Sequence, residues 1–269
     1  MKLSFSTLGC PGWAWKDIFS AAKDLKMDGI EIRGVGDTIN APDIDIFSPG
    51  RMEETKRQLA QAGLEIPVLT SGACLGLPSV ADRELAEAVA YVDLAARLGA
   101  PYVRVMITPE PQPGEGDLAL CAAQYGKLCD YAAEKGVSPL LETNGVLAES
   151  AAMKQLMEQA GRQNAGVLWD LNHTVRFFGE KPSDTIAALQ PWIRHVHLKD
   201  SAVEDGKVVY RMMGYGDLPV YDAVAALKAA GYEGYLSLEW VKRWNPELQE
   251  PGIVFAHFEN YMRFLLNQL

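Results

Sequence analysis

The sequence predicts an α/β fold, a single (β/α)8 TIM barrel over residues 1–269. Three observations predict it. Short aliphatic or β-branched runs alternate strictly with stretches of helical spacing, eight of each, and strict alternation implies parallel strands with right-handed crossovers. Eight such units in about 250 residues have barrel dimensions. No Gly-rich phosphate turn follows the first strand, where the sequence reads Gly9-Cys10-Pro11-Gly12, so the doubly wound sheet lacks its usual signature.

Taken in order, Leu3 to Leu8 alternates as a strand, and Trp15 to Lys26 is a helix closed by Asp28-Gly29. Gly29 to Gly34 is the second strand. Pro49 to Ala62 is a charged helix stopped by Gly63. Leu64 to Thr70 is the third strand, with Pro67 as a blemish because proline cannot donate to a ladder. Ser79 and Asp82 form a capping-box pattern opening a helix that carries Leu85, Val89, Val92 and Ala96 and ends at Gly99. Tyr102 to Ile107 and Pro139 to Thr143 are the fourth and fifth strands, separated by a helix from Leu118 to Lys135. Glu149 to Ala160 is a helix, Gly166 to Asp170 the sixth strand, and Ser183 to Leu189 a short helix. Arg194 to Asp200 is the seventh strand and Pro219 to Ala230 the next helix. Gly234 to Trp240 is the eighth strand, and Ile253 to Leu266 is the last helix. The longest irregular stretches, Val35 to Ser48, Thr108 to Asp117 and Ser201 to Asp217, all follow strands. They therefore belong to the face where barrel active sites lie.

Composition narrows the partners. A net charge of −10 disfavours nucleic acid, which needs clustered Lys and Arg, but not a sugar or a cation. No run of about 20 apolar residues is present to span a membrane, and Met1 to Ser6 reads as a strand rather than a targeting segment. The four cysteines contain no C-x-x-C, and Cys121 and Cys129 sit roughly 12 Å apart along one helix, too far for a disulfide. A reducing cytoplasm is the expected setting.

The seventh strand carries the chemistry. Strand alternation puts His195, His197 and Lys199 on one face and Val196 and Leu198 on the other. Glu142 ends the fifth strand, Asp170 the sixth, and Glu239 the eighth. Neighbouring barrel strands are about 4.8 Å apart, so Glu142, Asp170, His197 and Glu239 can converge on one cation. A lone acid at a strand end is usually an N-cap or a salt-bridge partner. Three acids at matching heights would repel one another without positive charge between them. Three carboxylates and one imidazole suit Mn²⁺ best, with Mg²⁺ or Co²⁺ as alternatives and Zn²⁺ less suited.

These residues also carry a resemblance. Leu140-Leu141-Glu142-Thr143-Asn144, Trp169-Asp170-Leu171-Asn172-His173, His195-Val196-His197-Leu198-Lys199-Asp200 and the run from Gly231 to Glu239 together resemble the xylose isomerase-like TIM-barrel superfamily. The nearest likeness is to its sugar phosphate isomerase/epimerase group, which includes ketose 3-epimerases, inosose dehydratases and hydroxypyruvate isomerases. The resemblance implies Glu142, Asp170, His197 and Glu239 as metal ligands, with Glu142 and Glu239 also the catalytic base and acid. It implies that His173 bonds a substrate oxygen and that Arg211 binds substrate. The implied reaction is metal-dependent isomerisation or epimerisation of a keto-sugar by proton transfer through a metal-stabilised enediolate. The alternative is a lyase, of the inosose dehydratase or keto-sugar β-elimination type, which shares the first step and then expels a β-substituent. The superfamily's apurinic-site endonucleases need histidines on the third and fourth strands, which read Thr70-Ser71-Gly72-Ala73 and Arg104-Val105-Met106-Ile107; that activity is rejected. A sugar or cyclitol substrate and a homo-oligomer are the expected partners.

Other residues admit two readings. His195 supports a ligand, contacts substrate, or is a satisfied core histidine. Lys199 polarises a substrate oxygen or pairs with Glu142 or Glu239. Trp13 is the candidate aromatic wall for a sugar face, although either it or Trp15 is expected to pack on a helix. Glu31 and Arg33 share a face and can pair, or Arg33 can meet an anionic substrate. Cys74 is expected to pack and His257 to lie at the surface. The segment Trp240 to Pro246 reads as a lid, a substrate wall or an oligomer contact.

Overall fold

The computed structural model describes residues 1–269. The inner ring is built from β1 Lys2–Ser6, β2 Gly29–Glu31, β3 Val68–Cys74, β4 Tyr102–Met106, β5 Ser138–Glu142, β6 Gly166–Asp170, β7 Ile193–Leu198 and, after the hairpin β8 Asp200–Glu204 and β9 Lys207–Arg211, β10 Tyr235–Leu238. The ring's hydrogen-bonded order is β2-β1-β10-β7-β6-β5-β4-β3, and all its pairs are parallel. Bridges Gly29↔Glu65 and Ile32↔Leu69 bring the two edges together, so the ring is nearly closed. The expected TIM barrel is the fold.

Helices α1 Trp15–Asp24, α2 Met52–Ala62, α3 Ala81–Leu98, α4 Leu118–Ala133, α5 Ser150–Ala160, α6 Leu171–Phe178, α7 Pro182–Leu189, α8 Val220–Ala229 and α9 Pro251–Gln268 follow the strands. None is long and apolar enough to cross a membrane. The apolar face of each strand meets this outer layer. Leu3, Phe5, Val196, Leu198, Leu236 and Leu238 all belong to the main hydrophobic core. The alternate residues Ser4, His195, His197 and Ser237 are fully buried and polar. Polar side chains thus hold buried inward positions on three neighbouring strands, β1, β10 and β7.

Several boundaries differ from the sequence expectation. β3 starts after Pro67 and runs on to Cys74, whereas Pro139 is held inside β5, in register with Val103. The Ser79–Asp82 capping box does not form: Pro78–Val80 makes a 3-10 turn first, and α3 starts at Ala81 with no side-chain cap. α6 lies in the interval between the sixth strand and the helix from Ser183, where no element was expected. Asp170 caps it by accepting from the His173 N–H at 3.1 Å, and Gly179 ends it in the left-handed region. The hairpin was also expected to be irregular. Asp205 and Gly206, at φ 50° and 76°, form its two-residue turn between Glu204 and Lys207.

Candidate metal centre

Register explains why the four expected ligands meet. Asp170 lies beside His197, and His197 lies beside Ser237; Glu142 lies beside Leu168. Asp170 is thus level with His197, while Glu142 and Glu239 are each offset from that level by two residues, the kind of stagger that tilted barrel strands require. The result is one cluster. Ligand atoms of Glu142, Asp170, His197 and Glu239 all lie within 4.8 Å of one another, and all four residues are buried.

The imidazole of His197 is the hinge of this arrangement. Its Nε2 lies 3.0 Å from Glu31 Oε2. A carboxylate oxygen only accepts, so Nε2 carries the proton and Nδ1 faces the acids. Nδ1 is buried without a hydrogen-bond partner, 3.4 Å from Glu239 Oε1 and 3.8 Å from both Glu142 Oε1 and Asp170 Oδ2. Burial disfavours a charged ring here, but Glu31 and Glu239 prevail and raise its pKa well above the usual value. The acids thus demand positive charge at their centre. One unpartnered imidazole nitrogen among three carboxylates is a fitting donor set for an oxygen-preferring divalent cation.

The acids differ in their partners. Burial opposes ionisation of Glu142, yet Arg104, His197 and His173 together hold its carboxyl at about 2. Arg104 Nε lies 3.3 Å from Glu142 Oε2. Asp170 is held well below the carboxylate range against the effect of burial, chiefly by His173 and Lys199. Its Oδ1 caps α6 while Oδ2 faces the cluster, so the cap and ligand readings coexist. Lys199 donates to both Asp170 Oδ2 and Glu239 Oε2.

A cavity of about 460 Å³ opens above the cluster, lined by Glu142, His173, Lys199 and Glu239, with Arg33, Arg104, Asn144, Tyr210 and Trp244 around them. His173 Nδ1 lies 3.0 Å from the Thr143 carbonyl oxygen, which only accepts, so Nε2 is left as the acceptor nitrogen.

Three expected substrate contacts lie elsewhere. Trp13 packs edge-on against Phe255 at 5.8 Å and is not part of the cavity wall. His195 is fully buried beneath the cluster, its Nε2 3.0 Å from Glu31 Oε2, where no substrate reaches it. Arg211 pairs with Glu204 across the hairpin. Strand alternation sends its neighbour Tyr210 to the cavity instead. Glu31 and Arg33 do not pair: Glu31 Oε2 serves His195, His197 and Ser237. His257 is half-buried rather than at the surface, its Nε2 2.7 Å from the Met213 carbonyl. In the last loop Trp240 packs inward while Trp244 forms part of the cavity wall.

Sequence reasoning missed the Glu31–His197 partnership, Arg104 and Tyr210. Glu31 was findable, because its strand alternates inward and two buried imidazoles need an acceptor. Arg104 alternates on β4 with the core residues Val103 and Val105, so its side chain points to the barrel interior.

The profile described as Xylose isomerase-like TIM barrel matches residues 19–256. The chain belongs to this family. Among curated relatives, this xylose isomerase-like barrel is 30% identical to an inosose dehydratase of Geobacillus thermodenitrificans, over 77% of this chain and 79% of the relative. It is 24% identical to a 3'-dehydrocarminate deglycosidase alpha subunit of a Microbacterium species, over 96% and 91% of the two chains. Among solved structures, the IOLI protein with a binding zinc atom superposes with TM-score 0.82 at 15% identity, over 100% and 99% of the chains. At that identity the likeness speaks for the fold alone.

Proposed function

We propose that this barrel is a divalent-metal-dependent isomerase or epimerase of keto-sugars or cyclitols, moving a proton on a carbon next to a carbonyl. One observation carries the reading: Glu142 and Glu239 belong both to the ligand cluster and to the cavity wall. Binding alone would not need two acids exposed to the ligand. Manganese is the cation of choice for this donor set, and the cytoplasm is the proposed setting.

When bound, the cation supplies Lewis-acid polarisation of the substrate's carbonyl and neighbouring hydroxyl oxygens. Glu142, Asp170, His197 Nδ1 and Glu239 would hold it. One of Glu142 and Glu239 takes the proton onto a carboxylate oxygen. The other returns a proton from its own side, to the same carbon for epimerisation, or to the former carbonyl carbon for isomerisation, in which the neighbouring hydroxyl's proton passes to the former carbonyl oxygen. His173 Nε2 accepts from a substrate hydroxyl, and Lys199 holds Glu239 and Asp170 in place through its two hydrogen bonds. Tyr210 and Trp244 wall the site.

A second reading has its own support. The relative at 30% identity is a dehydratase, and loss of a β-hydroxyl begins with the same deprotonation. Proton NMR in D₂O with Mn²⁺-loaded protein and a panel of keto-sugars and cyclitols separates the two. Deuterium in an isomeric product supports the first reading and loss of water the second. Absence of C–H exchange across the whole panel removes both.

A further inference from the structure

The cavity has two unlike walls. One carries Glu142, on β5, and Glu239, just past β10. The other carries two guanidinium groups that the proton-transfer reading does not use for chemistry. Arg104, on β4, is 4% exposed, and its Nε and Nη1 make no hydrogen bond. Its one close acid is Glu142, at 3.3 Å. Arg33, just past β2, has no carboxylate oxygen within ion-pair distance; its Nη1 reaches only the Ile39 carbonyl, at 3.3 Å. Both line the cavity.

Between them stands Gly72, on β3, where the register with β4 is irregular between Thr70 and Cys74. A Cβ at Gly72 would lie 3.3 Å from Arg33 Nη2 and 3.1 Å from Glu87 Oε1. Glu87 Oε1 accepts from the Gly72 N–H at 2.7 Å. With no side chain at Gly72, Arg33 Nη2 and Glu87 Oε1 come close to the strand, beside the recess of the cavity that Arg33, Gly72 and Arg104 line. Burial first, and then repulsion by Arg104, depresses the pKa of Arg33. Glu142 already answers the charge of Arg104, whereas Arg33 is buried with no ion-pair partner, so a negative group entering the recess would relieve Arg33 most. Guanidinium forks favour carboxylate or phosphate oxygens in such a place.

We propose that the recess over Gly72, between Arg33 and Arg104, binds an anionic group of the substrate, so that the natural substrate is a keto-sugar or cyclitol bearing a carboxylate or phosphate. This rests on the proposed function for the identity of the site, but its test needs no turnover. The substrate lies across the cavity with its anion on the arginine wall and its carbonyl end on the acids.

Calorimetry on the Mn²⁺-loaded protein compares D-fructose, 5-keto-D-gluconate and D-fructose 6-phosphate. At least one anionic probe is expected to bind about tenfold or more tighter than fructose, the worth of a charged hydrogen bond. Which probe gains identifies carboxylate or phosphate. The Arg33→Met variant should bring the ratio close to one, which separates the recess from simple chelation of the ion by the probe. Gly72→Ala, whose Cβ would push against Arg33 Nη2 and Glu87 Oε1, should displace the Arg33 guanidinium, narrow the ratio too, and serve if Arg33→Met does not fold. A preference below tenfold for both probes, or one that survives the substitution, overturns the proposal. C–H exchange without an anion preference leaves the reaction standing and removes the recess; an anion preference without exchange does the reverse.

Discussion

Glu31 Oε2 stands 3.0 Å from His197 Nε2, on the far side of the ring from Glu239, whose Oε1 is 3.4 Å from Nδ1. The imidazole is thus held between an acceptor below and the acids above. Glu31 keeps this role because burial, which raises its pKa, is outweighed by His197 and His195, and its carboxyl stays ionised. Replacing it with glutamine removes the charge that fixes the tautomer. The Glu31→Gln protein should bind Mn²⁺ about 10- to 100-fold more weakly, the usual effect of losing such a partner. Titration calorimetry reads it directly. Unchanged affinity would mean that His197 is oriented by packing alone.

The acids of the cluster predict a response to metal alone. A cation that binds only the folded chain stabilises it, by about 2.7 kcal/mol at 100 times its Kd. For a chain of this size that corresponds to a rise of about 5–10 °C in Tm. Chelator-treated protein titrated with Mn²⁺, Mg²⁺, Co²⁺ and Zn²⁺ in a thermal melt should show the rise, led by Mn²⁺. If none of the four moves the melt, the cluster is a network satisfied by Lys199 and a protonated His197.

Glu239→Gln tests the chemistry. The amide oxygen can still approach a cation, but the side chain can no longer take a proton. Solvent exchange should fall by about 10²- to 10⁴-fold, the usual contribution of a general base, while circular dichroism stays that of a folded barrel. Wild-type exchange would remove Glu239 from the proton path.

How much of this was legible follows from particular residues. The ring was, because strand and helix spacings alternate without a break, and so was the convergence of Glu142, Asp170, His197 and Glu239, because each lies at or next to the end of a strand of that ring. The hairpin was legible too and was passed over: Asp205-Gly206 is the favoured type I′ turn pair, and reading it would have placed Tyr210 and Arg211 on opposite faces. Asp170 followed by Gly179 marked both ends of α6, yet the β-branched and aromatic residues between them argued the other way. Trp13 was not legible. Only the crossing of the first loop over α9 decides that its ring meets Phe255 instead of the cavity. Of the two partners of Lys199, Glu239 was legible and Asp170 was not, since a salt bridge between strands depends on side-chain reach at a register the sequence does not display.

That crossing gives a stability prediction. Phe5, on β1, stacks on Phe255, on α9, with centroids 4.1 Å apart, and both are fully buried. A Cβ at Gly9 would lie 3.0 Å from the Phe255 ring, so the loop after β1 closes over it. The last helix is thereby fastened to the first strand, beside β10, which carries the chain to Glu239. Phe255→Ala leaves a void that so tight a junction cannot collapse around, and it should destabilise the fold by about 3–5 kcal/mol. Urea unfolding measures this. Because Phe255 meets the outward face of β1, Mn²⁺ affinity of the folded variant should stay near that of the parent chain. A loss below about 1 kcal/mol, the scale of an ordinary substitution, would show that α9 is held by its other contacts. Weakened metal binding in a folded variant would show that the junction also sets the position of Glu239.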